Sequence, residues 1–151
     1  MNLIYYFLSF ISGAGVTLQA GVNNRLKSGL GDPILTSLVS FIVGTMGLAA
    51  AFVINIISGA QTVPGTGTMG RTSWWMWMGG LLGAFYIFSS IFSVSKIGFA
   101  SMFSLVVAGQ IILAVIFDHF GIMGNQVHLI NPARALGVLV LIAGVYIIQT
   151  H

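Results

Sequence analysis

The sequence contains no cysteine and no glutamate, and among its 151 residues only five are Lys or Arg and only two are Asp. The absence of cysteine excludes disulfides, thiol chemistry and thiolate metal sites. Charged residues make up 5% of the chain, whereas a soluble globular domain has about 25%. A water-soluble fold of this composition could not cover its surface with polar groups. A nucleic-acid partner is not expected either, because the chain has no basic cluster of the size that such a surface needs.

The few charges separate long apolar runs, and hydrophobic residues make up 57% of the sequence. The hydrocarbon core of a bilayer needs about 20 apolar residues per helix. The sequence therefore predicts an all-α membrane protein, a single domain over residues 1–151 with five transmembrane helices. The first run has no basic segment before it and no clear cleavage site, so we expect it to be retained as a span. The predicted spans are roughly residues 2–22, 34–58, 74–95, 97–117 and 133–150.

Two helix starts are marked by an Asp or Asn followed by proline. Asp32-Pro33 precedes the second apolar run, and Asn131-Pro132 precedes the fifth. An Asp or Asn side chain caps a helix N-terminus, and proline suits the first helical position. We expect Gly29-Leu30-Gly31 to end the first helix, and the short segment 95–98 to join the third and fourth helices.

The basic residues give almost no preference for one orientation in the membrane. Five helices place the two termini on opposite sides. Arg25, Lys27 and Lys96 then lie on one side, and Arg71 and Arg134 lie on the other. Basic loop residues normally mark the cytoplasmic side. So small a difference predicts dual topology, and the alternative is that one extra charge fixes a single orientation.

Polar side chains inside the apolar runs are the candidates for a solute path. A primary amide offers two donors and an acceptor with no fixed charge to desolvate, which suits a neutral or zwitterionic solute. Asp118 is an acid near a membrane segment, where carboxylates are usually functional, but it could instead be an interfacial acid paired with Arg134. The amides and hydroxyls could instead be structural, bonding between helices or to their own backbone. The candidate substrate-binding residues are Gln19, Asn23, Tyr86, Ser90, Gln110 and Asp118.

No set of residues in the sequence indicates catalysis. A nucleophile with a base and an orienting group is not visible, and neither is a Gly-rich phosphate loop. Asp118, His119 and His128 follow no established metal-ligand spacing. The sequence therefore predicts no enzyme, no metal and no other cofactor.

Four motifs follow one another along the chain, at residues 19–26 (QAGVNNRL), 74–83 (WWMWMGGLLG), 109–110 (GQ) and 118–121 (DHFG). Together they resemble the YdcZ-like five-helix family of the drug/metabolite transporter (DMT) superfamily. The resemblance implies a multi-pass protein of the bacterial inner membrane that transports small solutes. Larger members of that superfamily contain two five-helix halves in inverted orientation. It therefore also implies an antiparallel homodimer with a ten-helix bundle, or a heterodimer with a paralogous five-helix subunit.

The last apolar run carries two glycines on one face, because Gly137 and Gly144 are close to two helical turns apart. Residues 137–145 are similar to the dimerisation helix of the small multidrug resistance transporters. This similarity implies a dimer interface at Gly137, Val140, Leu141 and Gly144. Those transporters also carry a buried glutamate in their first helix. No acid lies in the first helix here, so proton-coupled export of cationic drugs by that mechanism is not expected.

These observations lead to one expectation and two alternatives. We expect a transporter that works by alternating access around a site near the membrane midplane. The first alternative is a dual-topology small-ion channel built from the same dimer, with Ser and Thr side chains along its path. The second is a membrane subunit of a hetero-oligomeric transporter. Flux rate would separate the first alternative from a transporter, and the behaviour of the purified chain would separate the second.

Overall fold

The computed structural model describes residues 3–63, 65, 67, 72–122 and 126–151. Every regular element in that part of the chain is helical, and four of its segments are long and apolar enough to cross a membrane. The prediction of an all-α membrane protein is confirmed. Arg71, one of the residues in the charge comparison, lies outside the described residues. The elements are α1 (Leu3–Leu30), α2 (Pro33–Ile57), a short 3-10 helix (Trp74–Trp77), α3 (Met78–Phe120) and α4 (Pro132–Thr150).

The two predicted N-caps are confirmed. The Leu35 N–H donates to Asp32 Oδ1 at 2.6 Å, and the Arg134 N–H donates to Asn131 Oδ1 at 2.8 Å. Each cap is followed by proline in the first turn of α2 or α4. These side chains satisfy backbone donors that the first turn of a helix leaves without an intrahelical partner.

The end of α1 lies beyond the apolar run that predicted it. The run ends near residue 22, but the helix continues to Leu30, because backbone hydrogen bonds do not require apolar side chains. Gly31 then takes a φ of 78°, and its N–H donates to the Lys27 carbonyl at 2.8 Å. Glycine takes this left-handed conformation without steric cost and commonly ends helices. The predicted glycine stop is confirmed.

The long helix α3, together with the short 3-10 helix before it, covers both the third and the fourth predicted span. It has 43 residues and is interrupted at Gly98, where φ is 80° and ψ is 171°. This backbone conformation is open essentially to glycine alone. The interruption falls within the segment that was predicted to join two helices.

The chain divides into two compact units, residues 1–95 and 96–151. In the first unit, α1 contacts α2 across a two-residue connection. Lys27 Nζ donates to Ser95 Oγ at 3.2 Å. The Phe41 ring lies 3.4 Å from where a Cβ on Gly83 would be. These contacts place α1 parallel to residues 78–95 of α3, with α2 antiparallel to both.

In the second unit, polar contacts join α4 to residues 99–120 at both ends of the pair. Arg134 Nη1 lies 3.4 Å from Asp118 Oδ2. Gln149 Nε2 donates to the Ser101 carbonyl at 3.0 Å and to Ser104 Oγ at 3.3 Å. Along each helix these contacts are separated by about 21–26 Å at a rise of 1.5 Å per residue. The two helices are therefore antiparallel and matched in length.

Candidate functional site

In the described part of the first unit, as many polar as apolar residues are buried, although the chain is strongly apolar. A buried polar group normally has a hydrogen-bond partner, and one without a partner needs an explanation. The buried polar residues are Asn23, Thr36, Ser37 and Ser90, and the buried apolar residues of the same unit are Ala20, Ile87, Ile91 and Val94.

The buried hydroxyl groups bond within their own helices. Thr36 and Ser37 donate to the carbonyls four residues earlier at 2.7 and 2.8 Å. Ser90 donates to the Ile87 carbonyl at 2.8 Å. Such bonds satisfy the hydroxyl donor without help from another helix or a ligand. Ser90, a predicted binding residue, is therefore buried with its donor already used.

Two other polar atoms are buried and have no partner in the described part of the chain, namely Asn23 Nδ2 and Tyr86 Oη. The Asn23 residue is only 4% exposed. Leaving a buried donor unsatisfied costs about 1–3 kcal/mol. A ligand or a water molecule with an acceptor oxygen would remove that cost. Of the six predicted binding residues, these two have the environment that most directly indicates a ligand.

The two glutamines have a different environment. Gln19 and Gln110 are exposed, and neither makes a hydrogen bond with the described residues. Gln19 lies one turn before Asn23, at the edge of the buried face of α1 rather than within it. Gln19 lies in the first unit, as do Asn23, Tyr86 and Ser90, whereas Gln110 lies in the second unit.

Asp118, the remaining predicted binding residue, is part of a set of local contacts at the end of α3. Its carboxylate pairs with Arg134 while both side chains stay about a third exposed, at 35% and 37%. Arg134 Nη1 also donates to the His128 carbonyl at 3.1 Å, and the His128 N–H donates to the Asp118 carbonyl at 2.8 Å. The Ile130 N–H donates to His119 Nδ1 at 3.1 Å. This arrangement favours the structural interpretation of Asp118.

The residues predicted to form the dimer interface leave an open face on α4. No residue of α4 is buried. A Cβ added at Gly137 or at Gly144 would meet no atom within 4 Å. Val140 is 63% exposed, and Leu141 lies between the two glycines on the same helix. The dimer interface remains a prediction. In a single copy, the space beside these glycines is open to a second helix.

Three features escaped the sequence analysis. One is a mostly apolar cleft of about 400 Å³ between α2 and α3, lined among others by Ile34, Phe41 and Phe88. The sequence pattern that could have predicted this cleft is the three- and four-residue spacing of large apolar side chains on α2 and α3. The other two are the Lys27–Ser95 bond and the Gln149 contacts. Neither has a sequence signal, because each joins positions that are distant along the chain. Among the described residues, no group of three His, Cys, Asp or Glu side chains is placed to hold a metal ion.

Comparison with known proteins identifies the family. The family profile DMT_YdcZ, described as "Putative inner membrane exporter, YdcZ", matches residues 4–147. The inner membrane protein YdcZ of Escherichia coli (strain K12) is 27% identical over 147 residues, which cover 93% of each chain. No solved structure matches the chain significantly. Because the profile covers nearly the whole chain, the resemblance seen in the motifs is confirmed. The chain belongs to the YdcZ family and is a multi-pass protein of the bacterial inner membrane.

Proposed function

We propose that the protein exports a small solute across the inner membrane by alternating access, as an antiparallel dimer. The observation that carries this proposal is the state of Gln19 and Gln110, two exposed amides in apolar helices without a partner among the described residues. A polar side chain facing hydrocarbon is costly, and intramembrane polar groups usually face a cavity or another helix. A second copy or a solute would supply the missing partners.

The proposal assigns five membrane crossings to the chain. A straight helix of the length of α3, 43 residues, would extend about 65 Å, roughly twice the hydrocarbon thickness of a bilayer. Gly98 lies near its middle and interrupts its helical geometry. The segments before and after Gly98 are each long enough for one crossing. With α1, α2 and α4 this gives five crossings and termini on opposite sides.

An antiparallel partner fits the proposal in two ways. The nearly balanced basic residues allow both orientations to insert. The open glycine face of α4 allows a second helix to approach closely. Pairing of two inverted copies would give the dimer two Gln19 and two Gln110 side chains. In such a symmetric dimer the inward-open and outward-open states have equal energy, so the direction of transport comes from gradients.

A small-ion channel is the first alternative, and it needs a continuous file of polar groups. Many hydroxyl groups in the described residues donate to carbonyls of their own helix, as Ser12, Thr17 and Ser104 do. Those donors are not free to replace the hydration shell of an ion. Flux through reconstituted vesicles separates the two functions, because a channel conducts far faster than a carrier that changes conformation in each cycle. A subunit of a hetero-oligomer, the second alternative, would be unstable or monomeric when purified alone.

The antiparallel arrangement can be tested without knowledge of the solute. A reporter that is active on only one side of the membrane is fused to the C-terminus, and we expect signal on both sides. Asn24→Lys adds a charge beside Arg25 and should shift the population to one orientation. Ala133→Lys adds the same charge beside Arg134 and should shift it the opposite way. Signal confined to one side in the unmodified chain would contradict the antiparallel dimer.

The role of the amides can be tested with a ligand found by screening solutes for thermal stabilisation of the purified dimer. Gln110→Ala should weaken binding of that solute roughly tenfold to a hundredfold, because its hydrogen-bond partner is left unsatisfied. Gln126→Ala makes the same chemical change in a loop outside the spans and serves as the matched control. An unchanged response in Gln110→Ala would assign the glutamines to helix packing.

A further inference from the structure

Lys27 and Asn23 lie one turn apart on α1 and project from the same helical face, with a rise of about 6 Å between them. Lys27 reaches α3, where its Nζ is 3.2 Å from Ser95 Oγ. Asn23 is buried at 4% exposure, and its Nδ2 has no partner in the described part of the chain. One face of α1 therefore presents an ammonium group and an unsatisfied amide donor.

The ammonium group of Lys27 has no counter-charge among the described residues. Its acceptor is the neutral Ser95 hydroxyl, which itself donates to the Phe92 carbonyl at 2.8 Å. Asp32 is the only acid in residues 1–95, and its carboxylate caps α2. An ammonium group carries three donors, and one hydroxyl satisfies only one of them. The Lys27 and Asn23 face is thus rich in donors and positive charge.

The position of this face along α1 allows a ligand to reach it from the aqueous phase. α1 has 28 residues, about 42 Å of helix, which exceeds the roughly 30 Å of hydrocarbon. Lys27 lies in its last turn, near the boundary of the hydrocarbon layer. Asn23 lies one turn deeper. Charge interactions are stronger there than in bulk water because the local dielectric constant is lower.

We propose that Lys27 and Asn23 bind an anionic oxygen group, a carboxylate or a phosphate, at the mouth of the transport path. Lys27 supplies the charge, Asn23 supplies the second donor, and Ser95 holds the lysine toward α3. The proposal rests on the proposed function, because it assigns to the exporter a solute class of organic anions or zwitterions. The phosphate of an anionic lipid headgroup has the same chemistry and is the other source of such a group.

The test measures thermal stabilisation of the purified protein in nanodiscs of zwitterionic lipid. The probes are sodium acetate, sodium phosphate and tetramethylammonium chloride, compared with sodium chloride at equal ionic strength. We expect acetate or phosphate to stabilise the protein and tetramethylammonium to have no effect. Lys27→Gln should weaken the apparent affinity for the anion at least tenfold, because it removes a charge-assisted hydrogen bond.

Two further variants control for general effects. Arg25→Gln removes the same charge from an exposed position of the same helix, about 200° around it, and should retain the affinity. Asn23→Leu replaces the amide by an apolar group of similar shape and should weaken anion binding about tenfold while the protein still folds. Equal losses in Lys27→Gln and Arg25→Gln, or no stabilisation by acetate, phosphate or phosphatidylglycerol, would overturn the site.

A second set of nanodiscs distinguishes the source of the anion. Stabilisation by phosphatidylglycerol that Lys27→Gln abolishes, without a response to acetate or phosphate, would support the anion site with a lipid headgroup as its occupant. Acetate binding that depends on Lys27 without any flux would support the site and remove the transport proposal. Flux of neutral or cationic solutes that Lys27→Gln leaves unchanged, without anion binding, would overturn the site and keep the transport proposal.

Discussion

The two units of the chain differ in what their polar side chains contact. In the second unit, residues 96–151, Asp118 pairs with Arg134 at one end of the helix pair, and Gln149 bonds to Ser101 and Ser104 at the other. In the first unit, residues 1–95, Asn23 and Tyr86 each bury a polar atom that has no partner among the described residues. Asp118 and Gln149 thus join helices in the second unit, whereas Asn23 and Tyr86 leave a buried polar atom available in the first.

This difference has an energetic meaning. An interhelical hydrogen bond in a membrane protein contributes about 0.6 kcal/mol on average. An unsatisfied buried donor costs about 1–3 kcal/mol. Removal of the Gln149 amide should therefore destabilise the second unit slightly, but removal of the Asn23 amide should not destabilise the first. Under the proposed function, this cost in the first unit is the cost of a binding site that is empty.

The largest expected effect concerns the open face of α4 in the second unit. This face is the proposed contact between two copies of the chain. Gly137→Leu or Gly144→Leu should convert the proposed dimer to a monomer in detergent, because a leucine side chain prevents close helix approach. The helical content should change little, since an added Cβ meets no atom within 4 Å. Light scattering coupled to size-exclusion chromatography, with circular dichroism, measures both quantities.

The matched control for the α4 variants lies in the first unit. Gly44 of α2 also has open space around it, and Gly44→Leu should leave the dimer intact. A dimer that survives both α4 substitutions would move the interface elsewhere, with the glycines at the start of α3 as the next candidates.

The next effect concerns Gly98, at the start of the second unit. Gly98→Ala should reduce the free energy of unfolding by about 1–3 kcal/mol, because alanine is strained at a φ of 80°. Gly109→Ala, in helical geometry with open space at its Cβ, should be neutral or stabilising by up to about 1 kcal/mol. Denaturant titration in detergent compares the two. Equal effects would show that the interruption at Gly98 does not limit the stability of the chain.

The smallest effect concerns the ion pair of the second unit. Asp118→Asn should cost less than about 1 kcal/mol, since both partners are about a third exposed and exposed pairs contribute little. The difference from wild type should shrink at high salt. Asp32→Asn is the control, because asparagine caps α2 equally well. If Asp118→Asn but not Asp32→Asn loses the stabilisation by solute, Asp118 is a binding residue and not only a structural one.

The features that the sequence predicted well depend on neighbouring residues. The caps at Asp32 and Asn131 and the glycine stop at Gly31 each need only a few adjacent positions to form. Span length was predicted less accurately at α1, because hydropathy reports the thickness of the bilayer and not the end of the helix. The helix continues through Asn23 and Lys27 to Leu30.

The features that the sequence could not predict depend on tertiary contacts. Gln19 and Asn23 stand in one polar stripe, yet the first is exposed and the second is buried. They lie about 40° apart around the helix, and only the position of the neighbouring helices determines which one is covered. The contacts of Gln149 also depend on tertiary structure, because they join it to residues 45 and 48 positions away in the sequence.

The most direct test of the account compares one polar residue from each unit. Asn23→Leu and Gln149→Leu are measured for thermal stability and for the acetate response in nanodiscs. Gln149→Leu should cost about 1 kcal/mol, from two hydrogen bonds of about 0.6 kcal/mol each, and should keep the acetate response. Asn23→Leu should keep the stability and weaken the acetate response about tenfold. The opposite pattern, a destabilised Asn23→Leu with a normal acetate response, would contradict the assignment of the first unit to binding.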